Sequence, residues 1–127
     1  MQRQVIWLFL VASMFIPVLV GAVTETDFEA KTTQSLLNLC TASPNDPRYR
    51  EAIHFCHGYL VGAYHYHVAD TAGEGGKSLV CFPTPAPSRN EALSMFIAWA
   101  QAHPQYMNEP PVETEFRFLI EKWPCQK

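Results

Sequence analysis

The chain has 127 residues, of which 48% are hydrophobic and 17% are charged, and its formal net charge is −3. A chain of this length is expected to fold as one domain, and one this apolar is not intrinsically disordered. Because no basic excess is present to neutralise a phosphate backbone, nucleic-acid binding is disfavoured.

The amino-terminal segment predicts an export signal. Arg3 precedes an almost wholly apolar run over residues 5–20, and Val20-Gly21-Ala22 supplies the small residues of a cleavage site. We expect cleavage after Ala22, so that residues 1–22 are a signal peptide and residues 23–127 form one mature periplasmic domain. The alternative is an uncleaved membrane anchor, since the apolar run approaches the length that spans a bilayer.

The four cysteines of the exported part predict disulfides. An even number of widely spaced cysteines in an oxidising compartment is typical of two disulfide bonds. No pair has the close C-x-x-C spacing of a zinc or haem motif. The four residues are Cys40, Cys56, Cys81 and Cys125.

The first predicted helix begins at a capping-box pattern, Thr26 to Glu29, and ends near Thr41, before the turn formers of residues 43–47. Asp46 can cap a second helix with Pro47 in its first position. This second helix carries two apolar stripes, and each stripe needs a partner. It is therefore either central in the domain or shared with a second chain. The stripes comprise Ile53, Cys56, Leu60, Ala63 and His67, and Phe55, Tyr59, Gly62 and Tyr66.

Residues 70–87 predict a long connection, because glycine-rich and proline-rich runs flank the short apolar stretch over residues 78–82. Loops of this length inside a compact domain are uncommon and are often functional. We expect this segment to be the most exposed and adaptable part of the domain. A passive linker held by Cys81 is an equally weighted alternative.

Two further helices follow this connection. Ser88 and Glu91 predict a capping box, and His103-Pro104 predicts the end of the third helix. The fourth is expected to open between Asn108 and Pro111, with the acids Glu109, Glu113, Glu115 and Glu121 on a solvated face. The fold class is therefore all-α, a small disulfide-braced bundle of about four helices. The expected apolar face of the fourth helix comprises Val112, Phe116, Leu119, Ile120 and Trp123.

Four cysteines allow three disulfide pairings, which the helix order can rank. If short loops make neighbouring helices antiparallel, Cys40 and Cys56 lie towards one end of the bundle, and Cys81 and Cys125 towards the other. This favours the pairs Cys40–Cys56 and Cys81–Cys125. The position of Cys56 several residues inside its helix weakens the first pair.

The sequence offers little support for catalysis or metal binding. Cys56 and His57 are adjacent on a helix and point about 100° apart, so the imidazole cannot easily serve as the base of a cysteine nucleophile. His54 and His57 could clamp a metal with His65 and His67, but surface histidines on an aromatic helix are the commoner explanation. We expect no enzymatic activity, no cofactor and no metal site.

Five short segments together resemble a known family. They are Leu36-Leu37-Asn38-Leu39-Cys40, Phe55-Cys56-His57-Gly58-Tyr59-Leu60-Val61-Gly62, Cys81-Phe82-Pro83, His103-Pro104 and Trp123-Pro124-Cys125. In this order they resemble the Tai, or resistance-associated-protein, family of type VI secretion amidase immunity proteins. The glycine-rich segment of residues 70–80 is not covered by a family motif. If this segment is the element that enters the partner, its sequence would set the choice of partner.

The resemblance implies a helical periplasmic inhibitor, commonly dimeric, that binds a secreted peptidoglycan-cleaving amidase. The contact residues that we expect are Tyr64, His65, Asp70, Glu74 and Lys77. The alternative function is a periplasmic stress chaperone or general binding module without a toxin partner, which would use the five histidines to change charge near pH 6.

Overall fold

The structure, a computed structural model, describes residues 21–126. Four α-helices lie in this range, α1 (Thr33–Cys40), α2 (Tyr49–Thr71), α3 (Arg89–Gln101) and α4 (Pro111–Lys122), together with two 3-10 segments, Glu25–Glu29 and Pro104–Tyr106. No strand is present among these residues. An isolated antiparallel β-bridge joins Val80 to Pro124. The all-α prediction is confirmed. Residues 1–20 of the predicted signal peptide lie outside the described residues.

The start of the first predicted helix is wrong, because the chain breaks there into a 3-10 segment and α1. Thr24, not Thr26, caps the 3-10 segment, and its backbone N–H and its hydroxyl both donate to Asp27 Oδ2. Ala30 then adopts a left-handed conformation with φ of 45°, which ends the segment. A second cap follows, in which Thr32 Oγ1 accepts the backbone N–H of Ser35 and starts α1.

The centre of the bundle is α4, which contacts α1, α2 and α3. The prediction for its apolar face is partly wrong, since Val112 is 39% and Ile120 38% exposed. A helix held between three others buries the side facing all of them, even where that side is polar. Its buried residues are Pro111, Thr114, Glu115, Phe118 and Leu119.

Polar contacts tie α1 to α4 at one end of the bundle. The hydroxyls of Thr33 and Thr114 are both buried and lie 2.6 Å apart, and the backbone N–H of Thr33 donates to the Glu109 carbonyl at 2.8 Å. Buried hydroxyls must find such partners, because an unpaired one costs about 1–3 kcal/mol. Thr114 can therefore occupy a core position.

The long helix α2 packs against α1 and α4. It begins at Tyr49, two residues after the predicted Pro47, and Asp46 Oδ1 accepts the backbone N–H of Arg48 just before it. One end of its second apolar stripe is covered, because Phe28 meets Phe55 edge-on at 5.6 Å. The other end is open. Tyr66 is 73% exposed, so this stripe is not the middle of a four-helix core.

Among the described residues, disulfides join Cys40 to Cys56 and Cys81 to Cys125, with Cα–Cα distances of 5.2 and 4.8 Å. This is the pairing that the helix order favours. Cys56 is fully buried, and its bond holds α1 against α2. No helix within residues 21–126 is both long and apolar enough to cross a membrane.

Candidate functional site

The connection between α2 and α3 is fixed at its base. Cys81 is bonded to Cys125, and its backbone N–H donates to the Trp123 carbonyl at 2.9 Å. The neighbouring Val80 is buried and pairs with Pro124. These contacts attach the middle of the connection to the end of α4, so the residues before Val80 form a loop with a rigid base.

The buried imidazole of His67 holds the same loop from the side of α2. Its Nε2 accepts the backbone N–H of Leu79 at 3.2 Å, and its ring meets the ring of Phe116 edge-on at 5.0 Å. A nitrogen that accepts a hydrogen bond carries no proton, so the ring N–H is assigned to Nδ1. Sequence reasoning placed His67 on an apolar stripe but did not find this contact, because nothing local links it to residue 79.

The glycine-rich segment forms a defined turn immediately after α2. The backbone N–H of Gly76 donates to the Gly73 carbonyl at 3.0 Å, and Gly75 adopts a φ of 81°. A Cβ at Gly76 would overlap the carbonyl oxygen of Thr71. The turn therefore requires glycine at both positions, because one has a left-handed backbone and the other lies too close to the helix end.

The structure divides the five expected contact residues into two groups. Asp70, Glu74 and Lys77 are all exposed, on the last turn of α2 and on the loop. Tyr64 is half-buried against Phe82, with ring centroids 5.1 Å apart, and His65 is exposed beside it. These last two side chains line a groove rather than the loop.

This groove lies between α2 and α3, with α4 as its floor. It holds a cavity of about 220 Å³. The walls are mainly apolar. Phe96 on the α3 wall packs against Phe118 of the floor at 5.8 Å between ring centroids, and both are almost fully buried. The lining includes Leu60, Val61, Leu93 and Phe96 on the walls, Arg89 at the start of α3, and Glu115 on the floor.

Glu115 is the polar group of this floor, and the prediction that it lies on a solvated face is wrong. The side chain is 4% exposed, and its Oε2 has no hydrogen-bond partner. Burial raises the pKa of Glu115 to about 9, so the carboxyl is protonated at neutral pH. A signal was present in the sequence, because residue 115 shares the helical stripe of Pro111, Phe118 and Leu119.

The described residues give no basis for a metal or nucleophile site. Within residues 21–126, no three histidine, cysteine, aspartate or glutamate side chains are grouped so that they could hold a metal ion. Cys56 is bonded to Cys40 and therefore supplies no thiolate.

A small disulfide-linked helical domain with a loop fixed at its base and an apolar groove beside it is typical of a protein that binds a partner. The family model described as Rap1a immunity proteins matches residues 32–125 of the chain. The chain therefore belongs to this family and is a type VI secretion immunity protein. The comparisons with curated proteins and with solved structures each give no match.

Proposed function

We propose that the chain is a periplasmic immunity protein that binds and inhibits a peptidoglycan-degrading amidase delivered by type VI secretion. The observation that carries this proposal is the family match over residues 32–125. Inhibition needs only occupation of the amidase cleft, so the chain itself acts without catalysis.

The loop before Val80 is the segment that we assign to the amidase cleft. Its base is fixed by the Cys81–Cys125 bond and by the hydrogen bond to His67, while Asp70, Glu74 and Lys77 are exposed. A segment that is already ordered loses little conformational entropy on binding, which favours affinity. Tyr64 and His65 form the second part of the proposed contact surface.

Export to the periplasm is supported by the disulfides, which persist in an oxidising compartment. The environment of Val23 also supports cleavage after Ala22. Its backbone N–H donates to Asp46 Oδ2 at 2.8 Å, and this hydrogen bond with that of Arg48 lowers the pKa of Asp46. Cleavage would place a new α-ammonium group next to this carboxylate. We expect Val23 as the first residue of the periplasmic protein, read by amino-terminal sequencing.

We further propose a homodimer through the open face of α2. Gly58 and Gly62 have nothing within 4 Å of a Cβ built on them, and Tyr66 and Val68 are exposed nearby. Glycine costs about 1 kcal/mol relative to alanine inside a helix, and close approach of a second backbone would offset that cost. Gly62→Trp should give a folded, helical monomer in sedimentation experiments, with Gly73→Trp in the loop as the control. A dimer that survives Gly62→Trp would exclude this face.

The proposed inhibition is tested with amidases encoded next to the gene. The purified periplasmic protein should form a complex with one of them and stop its hydrolysis of peptidoglycan. The triple substitution Asp70→Ala, Glu74→Ala and Lys77→Ala should weaken inhibition at least about tenfold, since truncating one energetically dominant contact residue costs about 2 kcal/mol or more and about 1.4 kcal/mol corresponds to tenfold.

The control for this experiment removes the same charges elsewhere, with Glu51→Ala, Glu113→Ala and Lys122→Ala on exposed helix surfaces. It should inhibit like the unmodified protein. Equal inhibition by both triple variants would exclude the loop as the contact surface. Failure to bind any neighbouring amidase, together with binding of unfolded proteins, would favour the chaperone function instead.

A further inference from the structure

We propose that the groove between α2 and α3 binds the arginine side chain of a partner protein, with Glu115 as the acceptor of its guanidinium group. This binding site does not include the loop assigned above to the amidase cleft, although Tyr64 and His65 of the proposed contact surface lie on its rim. The proposal holds whether or not the loop contacts an amidase.

The Glu115 carboxyl has an unsatisfied oxygen. Glu115 lines the cavity and is almost fully buried, and its Oε2 has no hydrogen-bond partner in the described residues. Buried carboxyl oxygens are normally paired, because an unpaired one costs free energy that folding must offset. The chain therefore presents an acceptor at the bottom of a groove, where a ligand can pair with it.

The size and lining of the cavity select the kind of ligand. Its volume of about 220 Å³ lies below the roughly 300–1,000 Å³ of pockets that hold drug-sized molecules, so it suits one long side chain. The walls formed by Leu60, Val61, Leu93 and Phe96 offer an apolar surface to a methylene stem. Long basic side chains bury such stems while their charged ends reach a polar partner.

The unpaired carboxyl of Glu115 can ionise to pair with a cation, and the geometry of a carboxylate favours arginine. The chain carries a net charge of −3, which favours a basic partner. A guanidinium group can donate two parallel hydrogen bonds to one carboxylate and is more weakly hydrated than an ammonium group. It therefore loses less on entering an apolar groove than a lysine would.

The proposal also requires that the chain's own groups leave Glu115 free. No hydrogen-bond donor of the described residues reaches Oε2, and burial raises the pKa of Glu115. Arg89, which also lines the cavity, is exposed at the start of α3. Burial and, to a lesser extent, the charge of the nearby Glu115 carboxylate raise the pKa of Tyr59 of α2. The other titratable groups on this side belong to α2, and they are His57, Tyr59, Tyr64 and His65.

Binding of the guanidinium group should release a proton. The carboxyl is protonated when the groove is empty and must ionise to pair with a cation. The affinity for arginine should therefore rise with pH towards the raised pKa of Glu115, by up to about tenfold per pH unit.

The experiment titrates the full mature protein with arginine blocked at both ends as its N-acetyl methylamide, and follows backbone amide signals by NMR. Blocked citrulline is the matched probe, because it has nearly the same shape without the charge. We expect blocked arginine to shift the signals of Leu60, Val61 and Leu93, to bind at least about tenfold more tightly than blocked citrulline, and to bind more tightly at pH 8 than at pH 7.

Three variants complete the test. Glu115→Gln keeps the shape of the floor and should abolish both the preference for arginine and the pH dependence. Ala92→Phe places a large side chain in the groove from α3 and should prevent binding, although Glu115 itself is unchanged. Glu113→Gln, an exposed acid on the same helix, should bind like the unmodified protein. Equal binding of the two probes, unchanged arginine binding by Glu115→Gln, or no shift at millimolar arginine would overturn the proposal.

Discussion

The loop before Val80 and the groove between α2 and α3 both border α2, but they are built in opposite ways. The loop is exposed and polar, and its shape depends on a few contacts at its base, among them the Cys81–Cys125 bond and the hydrogen bond from Leu79 to His67. The groove is apolar and shares its residues with the core, so its shape depends on packing. Exposed loop residues can therefore be substituted without loss of the fold, whereas substitution of the buried groove residues destabilises it.

The largest effect is expected beneath the groove. Phe118→Ala should lower the free energy of unfolding by about 3–5 kcal/mol, because Phe118 is 2% exposed and packs against Phe96, Trp99 and Trp123. Ile120→Ala on the same helix should lower the free energy of unfolding by less than about 1 kcal/mol, since Ile120 is 38% exposed. Urea unfolding of both variants gives the comparison. Equal losses would mean that the groove is not part of the core.

Removal of the Cys81–Cys125 bond should have the next largest effect. The double substitution to serine should cost about 2–4 kcal/mol, because this bond closes a long loop of chain. Limited proteolysis should then cut preferentially between α2 and Val80. The matched variant, Cys40→Ser with Cys56→Ser, should also be less stable but should not expose this loop. Preferential cutting of the loop in the matched variant would contradict the assignment of its rigid base to Cys81–Cys125.

A smaller effect, visible only as a pH dependence, is expected at Glu115. Its pKa is about 9 in the folded state and about 4.3 in an unfolded chain, so between these values the folded state binds more protons. Raising the pH therefore favours unfolding, and the free energy of unfolding should fall by up to about 1.4 kcal/mol per pH unit. Between pH 6 and 8, measured by urea unfolding, Glu115→Gln should show a flatter dependence. If the free energy of unfolding changes with pH equally in the two proteins, the raised pKa of Glu115 is contradicted.

The smallest effect is expected at the side of the loop. His67→Phe keeps an aromatic ring against Phe116 but removes the acceptor of the Leu79 N–H, and should cost about 0.5–1.5 kcal/mol. Hydrogen exchange at the Leu79 amide should become faster. His65→Phe, two residues away and exposed, is the control and should leave that amide unchanged. An unchanged exchange rate in His67→Phe would show that the loop is held without this bond.

Local patterns determined much of the fold. The capping box of Ser88 and Glu91 is formed, and the chain leaves the helix at His103-Pro104 as predicted. Both features depend on residues within a few positions of one another, so their physics is contained in the sequence. The same holds for the turn at Gly73–Gly76, where the glycines meet a requirement of the backbone itself.

Other patterns were ambiguous because two local solutions compete. Thr24, Thr26 and Thr32 can each begin a helix. In the structure Thr24 and Thr32 are the caps, and Asp27 is buried and accepts a hydrogen bond from the side-chain amide of Asn38. A capping motif shows where a helix can begin. Only the contacts of the 3-10 segment with the rest of the chain decide which one is used.

By itself, the sequence determined the helical class, four of the helix boundaries and the family to which the chain belongs, because short-range hydrogen bonding and the order of short motifs carry that information. Only the tertiary structure decided which face of α4 is buried, what His67 holds and why Glu115 is unpaired. The physical reason is that burial depends on the surfaces that surround a helix. A glutamate between Thr114 and Phe116 in the sequence can therefore form the floor of an apolar groove.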